Sequence, residues 1–150
     1  MKKIIFSRPD GGLSVIHPVI NSNETLTEDE AIDRARKDIP PEAIDVQIVD
    51  ESAIPSDRTF RNAWTVVAGA VEHDMAKCRE IHTDKLRTLR KPLLERLDME
   101  YLRADERGDA AGKVAIAAQK QALRDVTSDP AIAAARTPED LKAVMPEALK

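Results

Sequence analysis

Residues 75–107, MAKCREIHTDKLRTLRKPLLERLDMEYLRADER, decide the fold, because this stretch contains no glycine and only one proline, Pro92. Its apolar residues recur at steps of three, four and five, as they do along one face of an amphipathic helix. These residues are Ile81, Leu86, Leu89, Leu93, Leu97, Tyr101 and Ala104. The pattern predicts either one long helix or two helices joined near Lys91-Pro92.

The residues after this stretch predict a helical hairpin. Gly108-Asp109 interrupts the pattern, and residues 110–124 then have very high helix propensity. The face from Leu86 to Ala104 could close on this second helix or on a second copy of the chain, so a homo-oligomer stays open. Asp129-Pro130 and Thr137-Pro138 each place a capping residue before a proline, which predicts two short helices at the end.

The front of the chain has the patterns of a small sheet with one helix. Lys3–Ser7 and Leu13–Ile16 flank the turn residues Pro9–Gly12 and predict a hairpin. Thr27 and Glu30 form a capping box, which predicts a helix that continues until Pro40-Pro41. Three further stretches predict strands, namely Asp45–Val49, Ala63–Val67 and Ala70–Glu72.

These patterns predict an α+β protein with two parts. Residues 1–73 form a small α/β head with a hairpin, one helix and two to three further strands. Residues 74–150 form an α-helical hairpin with short terminal helices. A chain of 150 residues has the length of one domain or two small ones.

The composition gives expectations about disulfides, membrane spans and secretion. The single cysteine, Cys78, excludes an internal disulfide, and no apolar run reaches the roughly 20 residues that a membrane-spanning helix needs. The N-terminal residues lack the apolar segment of a secretory signal. We therefore expect a soluble protein, without a signal peptide, that does not bind a membrane.

Charge is unevenly distributed along the chain. Residues 21–58 contain 11 acids and 4 bases, whereas residues 77–124 contain 12 bases and 8 acids. The basic part is interleaved with acids and contains one aromatic residue, Tyr101. This composition argues against a nucleic-acid surface and leaves proteins as the expected partners.

No motif for catalysis stands out. Cys78 and His82 lie four residues apart on a predicted helix and could supply two metal ligands or a nucleophile and its base. A structural zinc site needs two more ligands, and nothing identifies an orienting group or an oxyanion donor. Gly11-Gly12 leads into a strand and not into a helix, so no phosphate-binding loop is predicted. We expect a protein without catalytic residues, metal or cofactor.

Two segments could contact partners. Residues 56–64, SDRTFRNAW, combine arginine with aromatic residues, so Arg61 and Trp64 could either form a contact patch or stabilise the head. A stripe of basic residues on the long helix could be solvated or could meet an acidic protein. This stripe contains Arg87, Arg90, Lys91 and Arg96.

The order of four segments resembles a known family. RTLRKPLLERLD, EYLRADERGD, AAQKQALRDVTSDP and TPEDLKAVMP resemble the C-terminal helical region of tail assembly chaperone proteins of tailed bacteriophages. The resemblance covers about residues 79–146. The family usually has tryptophans where this chain has Met99 and Met145. The segment IPSDRTFRNAW, residues 54–64, is similar to uncharacterised phage and prophage proteins.

The resemblance implies a non-enzymatic protein that binds a phage tail or tail-fibre component during assembly in the host cytoplasm. Two alternatives are a structural component that remains in the virion, as a tail or fibre adaptor, and a binder of a host protein. The residues we expect at the partner surface, unless they only hold the fold together, are Leu86, Arg90, Leu93, Leu97, Tyr101, Leu123, Arg124, Asp125, Arg61 and Trp64.

Overall fold

The computed structural model describes residues 1–21 and 25–150, and its fold is α+β, as predicted. The chain divides into two compact units, an N-terminal unit of Met1–Asp74 and a C-terminal unit of Met75–Lys150. Sheets dominate the first unit and helices the second.

The N-terminal unit contains a three-stranded antiparallel sheet. Its strands are β1 (Lys2–Ser7), β2 (Leu13–Ile16) and β3 (Ile44–Asp50), in the order β2-β1-β3. The predicted hairpin is confirmed. Gly11 in its turn has a φ of 76°, which glycine adopts without steric cost.

A second, two-stranded sheet follows in the same unit. Strands β4 (Trp64–Val67) and β5 (Ala70–His73) pair antiparallel, which confirms the second predicted pair of strands. Their two connecting residues, Ala68 and Gly69, both have positive φ, at 50° and 83°. Positive φ at both central positions is the requirement of a type I′ turn, whose twist matches that of the strands.

Helix α1 (Glu28–Ala35) begins with the predicted capping box. The Glu30 amide donates to the Thr27 hydroxyl, and the Thr27 amide donates to the Glu30 carboxylate at 2.8 Å. The hydrogen bonds from Thr27 to the carboxylate, first that of its amide and then that of its hydroxyl, lower the pKa of Glu30. The α-helix ends earlier than the prolines predicted, and residues 36–38 form a 3₁₀ turn.

The three-stranded sheet is covered on both faces, because successive residues of β1 point to opposite sides. Ile4 packs with Ile32 and Ala35 of α1 on one face. On the other face Ile5 packs with Trp64 and with residues of β2 and β5. Packing on both faces explains why three consecutive residues of β1, Ile4, Ile5 and Phe6, are all apolar.

The C-terminal unit is built on one long helix, α2 (Met75–Glu106). The helix continues through Pro92, which decides between the two predicted alternatives. Gly108, at a φ of 67°, forms the break, and α3 (Ala110–Asp125) follows. Two short helices, α4 (Pro130–Ala134) and α5 (Pro138–Ala143), begin at the predicted capping residues.

The apolar face of α2 packs on α3 within the same chain. Leu97 and Ala104 of α2 and Leu123 of α3 are buried. Ion pairs flank the seam, between Lys113 and Asp105 at 2.6 Å and between Lys120 and Asp98. The intrachain alternative for this face is therefore the observed one.

None of the described helices combines the length and the apolar content that a bilayer crossing requires.

Candidate interaction surfaces

Arg90 ties α2 to the end of α3. Its guanidinium donates to the carbonyl oxygen of Arg124 at 2.7 Å, and the Leu123 carbonyl and the Thr127 hydroxyl lie 3.5 Å away. The last carbonyls of a helix have no partner within the helix, and a cation there also complements the helix dipole. Arg90 is therefore half-buried and structural, in contrast to the solvated stripe in which the sequence placed it.

Two more side chains of α2 bind the ends of later helices. The guanidinium of Arg79 donates to the carbonyls of Ala135 at 2.9 Å and Ile132 at 3.3 Å, at the end of α4. His82 Nε2 lies 3.1 Å from the carbonyl oxygen of Val144, just after α5. Three polar residues of one helix thus satisfy the C-terminal carbonyls of α3, α4 and α5. We call Arg79, His82 and Arg90 the carbonyl-binding row.

His82 is a core histidine. It is 1% exposed, and because a carbonyl oxygen can only accept, its Nε2 carries the proton. Burial lowers its pKa below the ordinary 6.5, the hydrogen bond to Val144 opposes this shift, and the charge of Lys85 adds to it. Cys78, one turn away, is also buried. Among the described residues no group of three or more His, Cys, Asp or Glu side chains could hold a metal ion.

Four of the residues expected at the partner surface lie in the cores. Leu86, Leu97 and Leu123 are buried in the C-terminal unit, and Trp64 is buried in the N-terminal unit. Leu97 and Leu123 belong to the packed pair of α2 and α3, and Leu86 is buried one turn before Arg90 on α2. These four side chains have no surface to present to a partner, and we assign them to the hydrophobic cores.

The other expected residues of the C-terminal unit reach solvent to different extents. Leu93 and Tyr101 are half-buried, and the Lys120 ammonium lies 5.5 Å from the centre of the Tyr101 ring. Arg124 is exposed, and exposed Asp125 accepts a hydrogen bond from Gln121 at 2.8 Å. This part of α3 ends in a 3₁₀ turn, so the LRDV segment closes one helix and connects it to the next.

Several large apolar side chains are exposed on the C-terminal unit. Met99 and Leu102 lie three residues apart on α2, which places them on neighbouring turns of one face, and each is 54% exposed. This face is opposite the buried Leu97 and Ala104. Met145 is exposed beyond α5, and Val114 is exposed on α3. We call Met99 and Leu102 the outer apolar face of α2.

The SDRTFRNAW segment is anchored by its aromatic residues. Phe60 and Trp64 are buried, and Trp64 Nε1 donates to His73 Nε2 at 3.0 Å across the β4–β5 pair. His73 Nε2 is the acceptor of this hydrogen bond, because the indole N–H can only donate. Arg61 remains exposed. The aromatic residues of the segment therefore stabilise the head, as one interpretation predicts. Its Arg61 faces solvent and remains open to a partner, as the other requires.

A cavity of about 230 Å³ lies beside this segment. Its lining combines three basic side chains, Lys3, His17 and Arg58, with one acid, Glu51. The Lys3 ammonium is nearly buried and lies 3.5 Å from the Glu51 carboxylate. The acid within the cavity thus already balances its most buried cation.

Strand β3 exposes apolar side chains at the edge of the sheet. Ile44, Val46 and Ile48 are 50%, 43% and 39% exposed, although the strand is apolar at every second position. A β-bulge lies near Asp45, whose φ of 51° is unusual for a residue other than glycine. The strand therefore combines an open edge with apolar side chains, which proteins normally cover.

The sequence could have revealed the carbonyl-binding row only in part. Arg79, His82 and Arg90 lie on the same helical face as Leu86, so polar residues interrupt the apolar stripe of α2. Such an interruption indicates buried polar residues that need partners. It does not identify the partners, which lie 34 to 62 positions away.

No family model, no curated protein and no solved structure matches this chain.

Proposed function

We propose that this chain is a non-enzymatic protein of tailed-phage morphogenesis, which binds a tail or tail-fibre component in the host cytoplasm during assembly. The sequence resemblance over residues 79–146 supports this function. The exposure of Met99 carries the proposal furthest, because this residue stands where the resembled family has a tryptophan. Met145 stands at the second such position and is also exposed.

The outer apolar face of α2 is the surface on which the partner would bind. Met99 and Leu102 are half exposed, so a partner that covers them lowers the free energy of binding by about 25 cal/mol per Å² of apolar area buried. Methionine is also flexible and fills irregular apolar surfaces. The expected residues that reach solvent nearby, Tyr101 and Arg124, would contribute at the margin of this surface.

Affinity purification from infected cells tests the proposal. The tagged full chain should recover a tail or tail-fibre protein, and replacing Met99 and Leu102 together by serine should reduce recovery about tenfold or more, or about 1.4 kcal/mol. Val114→Ser is the matched control, since Val114 is an apolar residue of the same unit that is 72% exposed. Equal recovery with all three proteins would contradict the proposed surface.

Mass spectrometry of purified particles separates the assembly role from the alternatives. A protein that acts only during assembly should be absent from finished particles. Its presence at a fixed copy number would identify a structural component instead. Recovery of the same partner from uninfected host lysate would identify a host protein as the target.

A further inference from the structure

The outer edge of β3 presents unpaired main-chain groups. β3 pairs with β1 on one side and with no other strand of the described residues. The Glu51 amide donates to the Met1 carbonyl at 3.2 Å, and the antiparallel register repeats this orientation toward β1 at every second residue. The N–H and C=O groups that point outward are therefore those of Val46, Ile48 and Asp50.

The same edge carries exposed apolar side chains. Val46 and Ile48 lie on one face of the strand, and Ile48 pairs with Ile4 of β1, which is fully buried under α1. The cover of this face stops before β3, so Val46 and Ile48 remain about 40% exposed. An open edge with an apolar side is the geometry to which an extended peptide adds as a further strand.

The chain segment that contains β3 carries only acidic charges, although Lys2 of β1 lies opposite Asp50. Residues 38–57 contain six acids and no lysine or arginine. Asp45 and Asp50 of β3 are exposed, and neither forms an ion pair with another described residue. A second copy of β3 would bring two such acidic stretches together, whereas a basic segment would pair with them.

We propose that β3 binds an extended segment of another protein as an added strand, and that this segment carries apolar residues opposite Val46 and Ile48 and lysine or arginine opposite Asp50. Main-chain hydrogen bonds to Val46, Ile48 and Asp50 give the affinity. The apolar side chains extend the covered face beyond Ile48, and a basic side chain at the next position of the same face meets Asp50. Asp45, at the bulge, adds negative charge at the other end of the strand. This surface belongs to the N-terminal unit and does not depend on the outer apolar face of α2.

Two synthetic peptides of the length of β3 test the proposal on the full chain. Both carry two valines at alternate positions with threonine at the intervening positions. The positions of the same face just beyond the valines are lysine in one peptide and glutamate in the other. The lysine peptide should bind, with an affinity that falls as salt is added, and the glutamate peptide should not bind. Amide exchange should slow about tenfold or more at Val46, Ile48 and Asp50, or about 1.4 kcal/mol. The Gln47 amide, which already faces β1, should not change.

Two variants locate the binding. Ile48→Pro removes an outward N–H that β1 does not use, so the sheet should keep its amide spectrum while peptide binding is lost. Asp45→Asn with Asp50→Asn should weaken binding and reduce its salt dependence. Val67→Thr, at an exposed apolar position of β4, is the control and should bind as the unmodified chain does.

Three results would overturn the proposal. Equal binding of both peptides would show that charge does not select the segment. Exchange protection at other amides would place the peptide elsewhere. A dimer of the free protein that Ile48→Pro dissociates would show that a second copy occupies the edge.

Discussion

The guanidinium of Arg90 donates a 2.7 Å hydrogen bond to the carbonyl of Arg124, which lies 34 positions later in the chain. The contact gives residues 123–126, LRDV, a structural role at the end of α3. Arg124 contributes its main-chain oxygen, Asp125 ends the helix and Asp129 begins the next one by accepting the Ala131 amide at 2.9 Å. The segment orders the packing of helices through backbone groups.

The bond from Arg90 should have a measurable effect on stability. Arg90→Met keeps the aliphatic stem and leaves the carbonyls at the end of α3 without their charged donor. We expect the free energy of unfolding to fall by about 1–2 kcal/mol. Urea unfolding followed by far-ultraviolet circular dichroism measures this, because most of the helix lies in the C-terminal unit.

Arg87→Met is the matched control for Arg90. Arg87 is exposed and pairs only locally, with Asp84 three residues away at 2.7 Å. Its loss should cost less than about 0.5 kcal/mol. Equal effects of the two substitutions would show that the contact of Arg90 with α3 contributes no more than a surface ion pair.

His82 should make stability depend on pH. Its pKa is lowered in the folded protein, chiefly by burial, so the unfolded chain takes up a proton first as the pH falls below about 6.5. The contribution of His82 to stability is complete above that pH and is lost as the pH falls toward and through the folded pKa. The measurement is the free energy of unfolding across this pH range.

The comparison for His82 is His82→Gln, which keeps an amide donor for the Val144 carbonyl and cannot titrate. His17 and His73 remain in both proteins, so only the difference between the two pH curves reports on His82. The unmodified chain should lose more stability than the variant between neutral and mildly acidic pH. Parallel curves of unfolding free energy against pH for the two proteins would show that the pKa of His82 is the same in the folded and the unfolded chain.

The β4–β5 turn should respond in opposite directions to two substitutions. Ala68 has a φ of 50°, so Ala68→Gly should raise the free energy of unfolding by about 0.5–1 kcal/mol. Gly69 has a φ of 83°, so Gly69→Ala should lower it by about 1 kcal/mol. Fluorescence of Trp64, the only tryptophan, follows this unit during thermal unfolding. Shifts of the same sign would argue against the observed turn.

Pro92 should destabilise α2. Proline lacks the N–H that would bind the carbonyl of Thr88, and its ring crowds the preceding turn. Because Pro92 is exposed, Pro92→Ala removes no buried contact and should raise the free energy of unfolding by about 1–3 kcal/mol. Lys91→Ala, at the adjacent exposed position, should change it by less than about 0.5 kcal/mol. Urea unfolding measures both variants. An unchanged unfolding midpoint for Pro92→Ala would show that the proline ring does not destabilise the helix.

The elements predicted from sequence are those whose determinants are local. The capping box at Thr27, the two proline-initiated helices and the glycine break at Gly108 each depend on residues within a few positions of one another. Their side chains satisfy backbone groups that any helix leaves open at its ends. The α+β class followed from the same local patterns.

The surfaces could not be predicted in the same way, because exposure depends on what the rest of the chain covers. The alternation over residues 45–49 predicts a strand, but the position of β3 at the sheet edge is a property of the topology. Leu86 and Leu97 differ from Leu102 in which side of α2 the later helices cover. The sequence groups Arg90 with solvated residues because the carbonyls that it binds lie far away in the sequence.

The carbonyl-binding row has a consequence for how the protein is made. Arg79 and His82 leave the ribosome long before the carbonyls that they bind, which lie 53 to 62 positions later. During translation the residues of α2 therefore emerge before the segment that covers His82, so this side chain stays in water until that segment follows. The C-terminal unit can reach its packed form only after residue 144 has emerged from the exit tunnel.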